Sequence, residues 1–101
     1  MPYELAKQLK DAGFEQMGTE WFYTDTKQLV PRMDKNIRWP DCIAAPTLEE
    51  LIQACGDDFS SITKRADGNW IADCKDNHEG HIWFGSTPTE AIAHLWLALH
   101  T

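Results

Sequence analysis

One segment constrains the fold more than any other: Thr87-Pro88-Thr89-Glu90-Ala91-Ile92-Ala93-His94-Leu95-Trp96-Leu97-Ala98-Leu99-His100. Thr87 reads as an N-cap, Pro88 takes the first helical position where its missing N–H costs nothing, and Glu90 completes a capping box. Ile92, Leu95, Trp96 and Leu99 then recur at i, i+3, i+4 and i+7, a stripe that at about 100° per residue lies on one side of a helix. Leu97 projects away from that stripe, toward a second layer or the surface.

The rest of the chain is read against this element. A first helix is expected over Tyr3 to Ala12, with Leu5, Leu9 and Ala12 inward, Gly13 in the left-handed position after its end and Phe14 folding back onto it. A further helix starts at Thr47, its N-cap, with Glu50 three residues on, buries Leu48, Leu51, Ile52 and Cys55, and ends at Gly56. The shared Thr-x-x-Glu pattern of 47–52 and 87–92 follows from capping and indicates no internal repeat.

Strand-forming side chains fill the gaps. Trp21-Phe22-Tyr23-Thr24 and Gln28-Leu29-Val30 form a hairpin across Asp25-Thr26-Lys27, with Pro31 limiting the second strand. Phe59 to Ala66 and Trp70 to Cys74 form a second across Asp67-Gly68-Asn69, and His81-Ile82-Trp83-Phe84 is a further strand. Residues 32–46 read as connector held by Pro31, Pro40 and Pro46, with Cys42-Ile43-Ala44 extended. The expectation is one α+β domain over residues 1–101, order α-β(β)-α-β-β-β-α, with three helices mainly on one face of an antiparallel sheet of about three to five strands. Trp21, Trp70, Trp83 and Trp96 are expected to supply most of the core and Trp39 to lie outside it.

Composition narrows the class of function. The net charge of −7 opposes direct binding to nucleic acid or an anionic membrane, and neither a membrane span nor a secretory leader is expected. A cytoplasmic protein is expected. The charge is uneven: residues 1–26 carry −3, residues 27–38 carry +3 and residues 41–101 carry −7. The basic island Lys27, Arg32, Lys35 and Arg38, ending at Trp39, offers a grip for an acidic partner surface. Asp57, Asp58, Asp67, Asp73, Asp76 and Glu79 offer one for a basic partner. Solubility alone also accounts for surface charge of this kind.

Catalytic and metal patterns are weak. Cys74-x3-His78-x2-His81, with Glu79 between the histidines, would need Cys42 or Cys55 to complete a zinc tetrad from afar, and His-Glu-Gly-His lacks the helical spacing of a metalloprotease. Cys55 falls on a buried stripe at a helix C-terminus, where the dipole disfavours a thiolate. Asp57 and Asp58 read as turn residues, and six glycines scattered singly make no phosphate loop. Three cysteines are expected as free thiols. No catalytic residue, metal or cofactor is assigned.

The helix segments 3–14, 45–56 and 87–99 together resemble a group of small phage and prophage proteins. In these a Trp-containing strand and a glycine precede a Thr-Pro-x-Glu-Ala helix ending Leu-Trp-Leu-Ala-Leu, as at 83–99 here. The resemblance implies a shared fold more than a shared activity. The reading that follows is a phage accessory protein that binds another protein, such as a host nucleic-acid-handling defence complex of the CRISPR-effector kind, with its carboxylates imitating phosphates. Two alternatives stand beside it: a self-associating structural module, a homodimer using sheet edges, Leu97 or Trp39, and a small zinc or thiol enzyme.

Overall fold

Helix capping and hairpin turns place the elements of this computed structural model, which describes residues 2–16, 18–33, 42–75 and 82–100. The elements are α1 (Tyr3–Asp11), β1 (Trp21–Tyr23), β2 (Leu29–Pro31), β3 (Ile43–Ala44), α2 (Leu48–Cys55), β4 (Phe59–Lys64), β5 (Trp70–Cys74), β6 (Trp83–Gly85) and α3 (Pro88–Leu99), with a 3-10 turn at Gly56–Asp58. They fall into two compact units, Met1–Thr47 and Leu48–Thr101.

In the first unit α1 buries Leu5, Ala6 and Leu9 and ends as its sequence requires. Gly13 adopts φ 96°, its N–H reaches the Lys10 carbonyl at 3.0 Å, and the Phe14 N–H reaches the Leu9 carbonyl at 2.9 Å. This paired closure satisfies two terminal carbonyls and seats buried Phe14 beside buried Leu9. Ala12, expected inward, is half-buried because the helix stops one residue before it. Strands β1, β2 and β3 form an antiparallel sheet in the order β2-β1-β3, with Phe22 opposite both Val30 and Ala44. Those three side chains are buried.

In the second unit β4, β5 and β6 form another antiparallel sheet in that order. Helix α3 packs across its strands and α2 packs on α3. The α3 cap differs in detail from the expected box. Thr87 Oγ1 accepts from the Glu90 N–H at 3.2 Å, but the Glu90 carboxylate accepts from the Ser86 N–H (3.1 Å) and hydroxyl (2.7 Å), one residue earlier. The Ser86 N–H and hydroxyl thus both converge on one carboxylate oxygen of Glu90. Ala91, Ile92, Ala93, Leu95 and Trp96 are buried, while Leu99, expected in the stripe, is 38% exposed in the final turn. Helix α2 buries Leu51 and Cys55 and leaves Leu48 and Ile52 half-buried.

The α+β class is as expected, but the strands make two three-stranded sheets rather than one. Helix α2 interrupts the run of strands, and each set pairs with its near neighbours in sequence. Helix α1 accordingly packs against β3, and α3 packs against the second sheet with α2 on α3. The expected aromatic core is also corrected. Trp96 is buried, Trp70 and Trp83 are half-buried and Trp21 is 41% exposed. Successive strand residues point to opposite faces, so when Phe22 turned inward, Trp21 could not.

Candidate functional site

The alternation that buries Phe22 builds a surface on the other face of the first sheet. Trp21 lies opposite Pro31 and Tyr23 opposite Leu29, so Trp21 and Leu29 are diagonal neighbours at about 7–8 Å. On the other side of β1 the Ala45 N–H donates to the Trp21 carbonyl at 2.8 Å, which carries the chain past Trp21 into Pro46 and Thr47. Together Trp21, Leu29, Ala45, Pro46 and Thr47 line an open, mostly apolar groove of about 220 Å³. Leu29 is 48% exposed, and the Arg32 N–H bonds the Glu20 carbonyl at 2.8 Å, setting two exposed, oppositely charged residues at the groove's end of the sheet.

Two hydrogen-bonded devices hold this sheet. Gln16 bridges loop and edge strand: its Nε2 donates to the Phe14 carbonyl at 2.9 Å while its Oε1 accepts from the Ala44 N–H at 2.8 Å. At the β1–β2 turn the Thr24 N–H bonds the Gln28 carbonyl and the Lys27 N–H bonds the Thr24 carbonyl, both at 2.9 Å. The pattern matches the β4–β5 turn, where Arg65 N–H bonds the Asn69 carbonyl and Gly68 N–H the Arg65 carbonyl. Gly68 takes the left-handed position at φ 92° and Lys27 takes it at φ 64°. A left-handed lysine costs roughly 1 kcal/mol or more. Its ammonium lies 5.1 Å from the Tyr3 ring centre, and Tyr3 meets Tyr23 edge-on at 5.5 Å, contacts that offset that cost. Burial raises the Tyr23 phenol above its ordinary range.

The charged candidates among the described residues are spread along several elements. Lys27 and Arg32 flank β2 at opposite ends, about 17 Å of extended chain apart, and Lys27 faces Tyr3. Lys35, Arg38 and Trp39 lie outside the described residues. Exposed Asp57 and Asp58 stand in the 3-10 turn before β4, and the Lys75 N–H donates to the Asp58 carbonyl at 2.9 Å. Half-buried Asp73 pairs with Ser61 at the same end of the hairpin. Asp67 is at the other end, about 20 Å along the strand, where its carboxylate accepts from the Asn69 N–H at 3.0 Å and meets Arg65 Nε at 3.6 Å. Asp76 and Glu79 lie outside the described residues. Leu97 is half-buried on α3.

The thiols sort by depth. Cys42 and Cys55 are buried and Cys74 is intermediate. Burial first, and the Asp58 carboxylate second, push the Cys55 thiol up to about 11, the opposite of what a nucleophile needs. Among the described residues no three His, Cys, Asp or Glu converge as metal ligands; His78 and His81 lie outside them. No described helix is long and apolar enough to cross a membrane.

Comparison with protein-family models, with curated proteins and with solved structures finds no match. The Trp21 groove was missed from sequence because Trp21 was assigned to the core by size. The period-two alignment of Trp21 and Tyr23 with Leu29 and Pro31 was the available signal.

Proposed function

We propose that this chain is a phage accessory protein that acts by binding another protein, with the Trp21 groove as its principal contact. The observation that carries the reading is the pairing of two exposed large apolar side chains, Trp21 and Leu29, beside a groove. Scattered surface apolar residues need no explanation, but a Trp beside a concave apolar site is the composition of an interface anchor. A Trp buries about 150–250 Å² when fully covered, so covering its exposed part yields on the order of 2 kcal/mol.

The resemblance of the helix segments to small phage proteins and the net charge of −7 favour a host nucleic-acid-handling defence complex as the partner. Asp57, Asp58 and Asp73, at one end of the β4–β5 hairpin, are the carboxylates best grouped to stand in for phosphates. The test is affinity capture from host lysate with nuclease present, comparing wild type with Trp21→Ser/Leu29→Ser and with Asp57→Asn/Asp58→Asn/Asp73→Asn. A stoichiometric partner lost with the first variant supports the groove, and loss or altered salt dependence with the second supports mimicry. Full retention by a folded Trp21→Ser/Leu29→Ser variant overturns the groove reading.

A further inference from the structure

We propose that β4 is a self-complementary edge strand through which two copies of this chain pair antiparallel, an association separate from partner binding at the Trp21 groove but competing with phosphate mimicry for Asp57 and Asp58. Among the described residues β4 is hydrogen-bonded within its sheet to β5 alone, and a strand's open flank presents N–H and C=O groups that a further strand satisfies. The other sheet edges are shorter and differently finished. Strand β2 ends in Pro31, β3 has two residues with the Ala44 N–H held by Gln16, and on β6 His94 Nδ1–H donates to the Phe84 carbonyl at 2.6 Å. Strand β4 has six residues and no proline, Ser60, Ser61, Thr63 and Lys64 are exposed, and its irregularity is confined to the step between Phe59 and Ser61.

Charge selects the occupant and the direction. Asp57-Asp58 precede the strand and Lys64-Arg65 close it. Antiparallel pairing of two copies brings the Asp57-Asp58 end of each β4 to the Lys64-Arg65 end of the other, twice over by symmetry. Parallel pairing would set acid on acid and base on base. Arg65 already contacts Asp67 and lies over the Phe84 ring at 5.2 Å, so Lys64 and the Asp57-Asp58 end carry the discrimination. Two chains of charge −7 repel at long range. Physiological salt screens that repulsion beyond about 8 Å and leaves directly opposed pairs.

The test is sedimentation velocity over a concentration series. Wild type is expected to show a reversible monomer–dimer equilibrium. Asp58→Lys and Lys64→Asp each remove the charge complementarity at both ends of the pairing and weaken it by about tenfold. Mixing these two variants, or combining both changes in one chain, restores it. Amide exchange reads the same contact without substitution, since β4 amides gain protection as concentration rises. A wild type that stays monomeric throughout, a dimer of unchanged strength in both single variants, or protection confined to other segments overturns the proposal.

Discussion

Gln16 shows what a single side chain does for a small sheet. Strand β3 is an edge of two residues, and its Ala44 N–H, on a residue 1% exposed, is paired by the Gln16 carbonyl oxygen in place of another strand. Removing that acceptor leaves a buried donor unsatisfied, a cost of about 1–3 kcal/mol. Gln16→Ala is therefore expected to lower stability by about that amount in urea melts, whereas substitution of exposed Gln53 leaves it unchanged within about 0.5 kcal/mol. Cys55 gives a pH dependence. Its folded value, about 11, lies above the ordinary 9.0, so the folded state retains a proton that the unfolded chain releases first. The resulting stability is complete below about 9 and is lost as pH rises through about 11. Between those values the melting temperature of wild type should fall more steeply than that of Cys55→Ala. Equal slopes would show that the thiol does not carry the effect.

At the scale of elements, the end of β6 and the start of α3 approach each other closely at Gly85. A Cβ on Gly85 would stand 2.5 Å from the Ala91 nitrogen and 2.9 Å from the Glu90 carbonyl carbon, both backbone atoms that cannot swing aside. Gly85→Ala is expected to cost about 1–3 kcal/mol through overpacking, read as an earlier denaturant midpoint with unchanged slope. A midpoint equal to wild type would mean that strand and helix separate easily. Gly85, the last residue of β6, thus serves close approach. The helix starts, the Gly13 closure and the Gly68 turn were legible because each depends on residues a few positions apart. The choice between Phe22 and Trp21 was not, because it is made by Val30 and Ala44 across the sheet. The same distance hid the division into two sheets and the groove, whose lining joins residues 21, 29 and 45–47.

For the whole molecule, the proposed function rests on surfaces, and the two sheets contribute different ones. The first unit presents Trp21 and Leu29 at a groove; the second presents a charged, exposed edge strand. Partner binding at the groove is the central claim, and Trp21 itself can report on it. With 5-fluorotryptophan incorporated at all five tryptophans, the Trp21 fluorine resonance is identified by its loss in Trp21→Phe and followed as the captured partner is added. The account predicts that the Trp21 signal shifts and loses its sensitivity to heavy water while that of buried Trp96 stays in place. A Trp21 signal unchanged at saturating partner would contradict it.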